Sequence, residues 1–212
     1  MRKSRLEWAE AHSNLSIADW EKVIFSDETR LETVTETAQF VRRRSHEQFH
    51  QDCVVQSVKH PQAVMIWSCI TIEGPGPLYF VNGTMNGKQY EDVIEPRLLP
   101  FYTSVGSQYT YIHDGAPCHR AKSVKTLLSS KNIPLLPWPG NSPDMNAIEN
   151  VWNLLKRIVY ESPSTTLLQL KTKITDTWEN NEDIKHMIKQ CIRSMLERIQ
   201  AVIKAKGGNT RY

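Results

Sequence analysis

The stretch Tyr109-Thr110-Tyr111-Ile112-His113-Asp114 is rich in aromatic and β-branched residues and stops at an acid. It reads as a strand that delivers an aspartate at its carboxyl end. An earlier stretch repeats the pattern, with the buried run Val23-Ile24-Phe25 ending at Ser26-Asp27-Glu28. Between the two lie the strongest β signals of the chain, residues 63–72 (AVMIWSCITI) and 78–81, separated by the turn residues Glu73-Gly74-Pro75-Gly76-Pro77. Residues 31–34 and 39–43 read as a hairpin.

Helical spacing fills the remainder. Residues 4–15 and 17–21 read as helices, with Ser16 and Asp19 as turn or cap residues. Residues 86–102 carry Tyr90, Val93, Ile94 and Leu98 at helical spacing, interrupted by Pro96. A basic helix is expected over 119–130, a short strand over 133–136 and a rigid loop over 138–144. In the next helix Ser142 is the expected N-cap and Pro143 the first helical residue, and Ile148, Trp152, Leu155 and Val159 recur at 4, 3, 4 spacing and face the core. Glu149 borders that stripe, about two turns beyond the cap. Strands followed by alternating βα elements predict an α/β fold, a mixed five-stranded sheet flanked by helices of the ribonuclease-H-like kind, with a site at the sheet's carboxyl edge. Residues 1–21 read as a helical linker segment, 22–162 as the core, and 163–212 as C-terminal helices and a basic tail completing the same domain.

Three carboxylates converge on that edge in this reading: Asp27, Asp114 and Glu149. Phosphodiester chemistry needs charge neutralised on both attacking and leaving oxygens, commonly by two metal ions roughly 3.5 to 4 Å apart. Carboxylates are the ligands that hard Mg²⁺ or Mn²⁺ prefers. Asp27 is expected to bridge the two ions, and Asp114 and Glu149 to complete them. Glu28 alternates to the opposite strand face, and Asp144 is expected as a charge in the first turn of its helix, so neither is taken as a ligand. His113, Cys118 and His119 crowd Asp114 without a structural-zinc spacing; His119 is expected to orient the site or meet a DNA backbone. Trp138, between two prolines, is expected as a packed loop anchor rather than a base-stacking platform.

A chain of 212 residues, 40% hydrophobic, can bury one sizeable core. No run of 18 apolar residues occurs, and the N-terminus opens on a charged helical pattern, so a soluble intracellular protein without membrane partners is expected. Cys53, Cys69, Cys118 and Cys191 are scattered with no C-x-x-C pair, which points away from disulfides and structural zinc. The net charge is only +3, but residues 183–212 hold seven Lys or Arg against two acids. Candidate phosphate contacts are Arg42, Arg43, Arg44, His119, Arg120, Lys122 and Lys156.

The segments 23–28 (VIFSDE), 111–119 (YIHDGAPCH) and 142–152 (SPDMNAIENVW) resemble the Tc/mariner transposase superfamily over nearly the whole chain. Thirty-four residues separate Asp114 from Glu149, which is similar to the Tc branch, whose third acid is Glu. Gly115 and Ala147 depart from the commoner pattern, where Asn and Pro often stand, and neither change removes a carboxylate. The resemblance implies a catalytic (DDE) domain that cuts transposon ends in double-stranded DNA with activated water. The freed 3′-hydroxyl then attacks target DNA, typically at TA, with no covalent protein intermediate. It also implies homodimer formation, a nuclear location, and an N-terminal pair of helix-turn-helix units that residues before Ser26 are too few to form. Two rival readings are an inactive remnant that binds DNA or a partner through its basic C-terminal segment, and a stand-alone nuclease acting on RNA hybrids.

Overall fold

The computed structural model describes residues 2–33, 44 and 62–212. Residues 34 and 39–43 of the expected hairpin, with Arg42 and Arg43, and also Cys53, lie outside the described residues.

Two short helices, α1 (Arg2–Ala11) and α2 (Ile17–Trp20), lead into the sheet. Ser16 caps α2 in a reciprocal box with Asp19. Strand β1 runs Val23–Glu32 without a break, so Asp27 sits in mid-strand and Leu31 continues the same strand instead of opening a hairpin. The polar run Ser26-Asp27-Glu28-Thr29 looks like a strand end by composition. It is held extended because β2 (Ala63–Thr71) pairs antiparallel with β1 along its length, setting Asp27 opposite Ser68 and Glu28 opposite Trp67. The short β3 (Gly74–Pro75) and β4 (Tyr79–Val81) both pair with β2, and β5 (Thr110–Ile112) pairs parallel with β1, giving a five-stranded mixed sheet. The strand expected over 133–136 is reduced to a single parallel bridge between Tyr111 and Leu135.

Strand alternation divides the core in two. Phe25, Leu31, Ile66, Ile70 and Ile112 face one layer, built from α6 (Ala147–Tyr160), α7 (Leu167–Asn180), α8 (Glu182–Arg193) and α9 (Met195–Lys204). Ile24, Trp67, Cys69 and Tyr111 face the other, built from α3 (Gly87–Val93), α4 (Leu99–Val105) and α5 (Lys122–Ser130). Between α3 and α4 the chain does not break at Pro96. It widens into a π-helical turn, Ile94–Leu98, in which the Leu99 amide donates to the Ile94 carbonyl; a proline has no amide to offer, and a π-turn accommodates the missing bond.

Ile148, Trp152, Leu155 and Val159 are all at most 1% exposed. At about 1.5–3 kcal/mol per fully buried large apolar side chain, this stripe anchors α6 against the sheet. Trp152 also stacks on Trp178 of α7 at 4.8 Å. The helix starts later than its sequence suggests. Pro143–Met145 forms a 3-10 turn, Ser142 makes no capping bond, and Asn146 is the N-cap, its side chain accepting from the Ile148 amide. Both Ser142 and Asn146 are chemically competent caps; the 3-10 turn absorbs Pro143 and hands the role to the second.

Candidate active site

Glu149 therefore stands in the first turn of α6 rather than two turns in. The Asn146 side-chain amide donates to the Ser26 carbonyl at 3.2 Å, tying the start of α6 to the residue before Asp27. Across β1 and β5, Phe25 lies level with Ile112. Asp114 lies two residues beyond that pair, close enough for its charge to act on Asp27. Asp27, Asp114 and Glu149 line one pocket of about 150 Å³, walled by Trp138, Pro139, Asn141 and Asn146. Burial, then the charges of Glu149 and Glu28, push the Asp27 carboxyl up to about 8. Burial also raises Glu149, against the nearby Lys156 charge and a hydrogen bond with Asp27.

The sequence-predicted trio is thus brought to one pocket but not gathered evenly. Among the described residues no three His, Cys, Asp or Glu side chains converge as a ready metal cluster. Asp27 and Glu149 meet, whereas Asp114 turns its Oδ1 to His119 Nδ1 at 2.6 Å and accepts the Ala116 amide at 2.8 Å. Two crowded carboxylates of raised proton affinity, with a third at the pocket rim, form an all-oxygen donor set that a hard divalent cation would stabilise.

His119 precedes α5, which begins at Lys122 rather than 119. Its ring is 2% exposed and engaged at both nitrogens, Nε2 lying 3.2 Å from Glu28 Oε1. It is therefore not presented to a DNA backbone, and of its two expected roles only orientation of the site fits. Burial works against its charge, but the hydrogen bonds to Asp114 and Glu28 lift its pKa to about 10. His113 stacks on it at 4.9 Å, accompanied by a contact of His113 Nδ1 with Tyr90 Oη at 3.1 Å; burial, then the His119 charge, lower His113 to about 4. Glu28 is the residue local sequence reading passed over: its alternation to the far strand face is what carries it to His119.

A second network supports the loop that walls the pocket. Asp144 stands in the first turn of the 3-10 helix before α6, as expected, but its charge is committed to a buried pair. It is 8% exposed and paired with Arg5 of α1 at 2.7 and 2.8 Å, and it also accepts from Thr210 at 2.9 Å. The Arg5 guanidinium further donates to the carbonyls of Asn141, Gly207 and Gly208. Burial pushes the Asp144 carboxyl up, but the bonds from Arg5 and Thr210 outweigh it and hold the group below its ordinary value. Buried Arg198 of α9 donates to the Asp144 carbonyl at 2.8 Å and to Asn150 Oδ1 at 2.7 Å. Part of the basic surplus of residues 183–212 is accordingly not free at the surface: Arg198 is core, and exposed Arg193 pairs with Glu21 at 2.9 Å. Trp138 packs edge-on to Trp8 at 4.8 Å, a loop anchor that also forms pocket wall.

The remaining candidate phosphate contacts are spread over the surface. Arg44, Arg120 and Lys122 are exposed, and Lys156 lies on α6 close enough to Glu149 for its charge to oppose the rise that burial causes there. Beside the pocket, sharing Glu149, Asn141 and Pro143 with it, lies a groove of about 640 Å³ lined also by Arg2, Asn150 and Asn153.

A family model described as DDE superfamily endonuclease matches residues 22–171. The Tcb2 transposase of Caenorhabditis briggsae is 32% identical over 214 residues, spanning 100% of this chain and 78% of that protein. The Tc1 transposase of Caenorhabditis elegans is 30% identical with the same coverage. Among solved structures, the Mos1 transposase catalytic domain with raltegravir and Mg matches with a TM-score of 0.75 at 14% identity, covering 99% of this chain and 96% of that one. The Mos1 paired-end complex with the left transposon end matches at 0.78 and 14% identity; this chain spans 62% of the Mos1 chain in it. At that identity the Mos1 likeness establishes the ribonuclease-H-like fold, and the worm relatives and the family model establish the kinship. The chain belongs to the DDE superfamily endonucleases, on the Tc branch of the Tc/mariner transposases, and corresponds to their catalytic domain.

Proposed function

We propose that this chain cleaves and joins DNA strands with the aid of two Mg²⁺ or Mn²⁺ ions held by Asp27, Asp114 and Glu149. The observation that carries the reading is the single pocket these carboxylates share, in which Asp27 is pushed up to about 8 by burial and by its acidic neighbours. When bound, such ions activate water and neutralise charge on the attacking and leaving oxygens.

The protein's own residues do the positioning. Asn146 fixes the spacing between β1 and α6, and so between Asp27 and Glu149. Trp138 and Pro139 wall the pocket. The adjoining groove, with its side-chain amides and Arg2, suits a phosphate backbone leading to the pocket. Lys156, on the Glu149 side of α6, and exposed Arg120 and Lys122 are placed to contact phosphates beyond it. The Mos1 complex with a transposon end supports double-stranded DNA ends as the substrate; pairing two ends calls for a homodimer, and access to chromosomes for a nuclear location.

The test is nicking of a labelled duplex in Mn²⁺, beside Asp114→Ala, Glu149→Ala and a chelator control. Cleavage that disappears in both variants and with chelator is expected. A folded wild-type chain that binds Mn²⁺ no better than these variants and never nicks DNA would overturn the proposal in favour of an inactive remnant.

A further inference from the structure

We infer that Glu28 is a positioning residue for the proposed reaction, acting on Asp114 through His119. This rests on the metal-dependent reading above. Asp114 needs such help because it is about half exposed, at 49%, and stands two residues beyond the end of β5. Asp27, by contrast, lies within a ten-residue strand.

The geometry forms a chain of three. Glu28 is 16% exposed and projects from β1 onto the α3 and α5 side of the sheet, opposite to Asp27. Its Oε1 meets His119 Nε2 at 3.2 Å, while the other ring nitrogen meets Asp114 Oδ1 at 2.6 Å. The imidazole is held edgewise by its two carboxylates, and the mutually touching rings of His113, nearly parallel at 6°, and Tyr90, at 4.2 Å, pack against it together. A ring so fixed presents one nitrogen at one point. Both that nitrogen and the Ala116 amide contact the same oxygen, Oδ1, so Oδ2 is the Asp114 oxygen left for a ligand among the described residues. Hydrogen-bonded partners behind a ligating carboxylate tune metal sites, typically with 10–100-fold effects on affinity or activity.

The experiment is Mn²⁺ titration calorimetry on the full chain without DNA, with nicking rates and metal-free melting temperature, for wild type, Glu28→Ala, Glu28→Asp, Glu28→Gln, His119→Ala and the Glu28→Ala/His119→Ala double variant. Glu28→Ala should weaken Mn²⁺ binding and slow nicking by roughly 10-fold or more while the chain still melts cooperatively. Glu28→Gln, whose amide oxygen still accepts from His119, should recover most of both. The double variant should be no worse than His119→Ala, because interacting residues are not additive. Should Glu28→Ala fail to fold, Glu28→Asp carries the test, since it keeps the charge but withdraws it by one methylene from His119. Wild-type affinity and rate in Glu28→Ala or Glu28→Asp, or full additivity with His119→Ala, would overturn the inference while leaving the proposed function standing. A wild-type chain that neither binds Mn²⁺ nor nicks DNA would remove both.

Discussion

Two loops frame the pocket, and they are secured by different means. The loop over residues 137–146 is clamped from beneath by a buried ion pair, by bonds from the first and last helices to its Asn141 and Asp144 carbonyls, and by Thr210 donating to the Asp144 carboxylate. The turn over residues 113–121 depends on one imidazole between two carboxylates. The first device builds tertiary stability into the pocket wall; the second orients a single carboxylate at modest cost to the fold. Disturbing the first should be read mainly in stability and disturbing the second mainly in metal affinity.

The largest effect should come from Asp144→Ala, which strands the Arg5 guanidinium in a site where it is 3% exposed. Breaking one side of a buried pair typically costs about 3–5 kcal/mol, to be measured by urea unfolding. A loss below about 1 kcal/mol, the range of exposed pairs, would break the contrast between the two loops. Acid should act on the same pair. The folded Asp144 carboxyl titrates below its ordinary value, so its contribution is fully present above the unfolded value and is lost as pH falls through the folded one. Stability should decline below about pH 5, with a shallower decline in Asp144→Asn, and thermal melts across pH 2–6 check both. Next in size is Asn146→Ala, which removes the α6 cap and the tie to Ser26. About 1 kcal/mol of stability should be lost, accompanied by a larger fall in nicking rate than that loss explains, because Asp27 and Glu149 are no longer spaced. The smallest is Lys156→Gln: stability should hold, and the slope of DNA affinity against salt should drop by about one. An unchanged slope would take Lys156 off the DNA path.

How much of this was legible depended on how local each signal was. The α6 stripe is legible because Ile148, Trp152, Leu155 and Val159 keep helical spacing within one element, and Asp27, Asp114 and Glu149 could be found because each closes or opens a strongly patterned segment. The length of β1 was not, since Ser26 through Arg30 is polar and only pairing with β2 keeps it extended. Nor was the role of Asp144, whose partners Arg5 and Thr210 lie 139 and 66 residues away. Glu28 falls between these cases: alternation gave its face correctly, but the histidine waiting there, 91 residues on, belongs to another element.

The Arg5 clamp has a further consequence at the two ends of the chain. Gly207 adopts a φ of +76°, and a side chain there would begin 2.0 Å from the Arg2 carbonyl oxygen; only glycine lets the C-terminal residues lie this close to the first turn of α1. The first turn of α1 and residues 207–212 therefore meet at one corner, beside the groove that contains Glu149. Any segment joined before α1 or after Tyr212 would leave the fold at the mouth of that groove, so a purification tag is better inserted at a distant surface turn. A short bridge from Tyr212 back to the start of α1, with the chain opened elsewhere, is a permutation of this domain that the geometry favours.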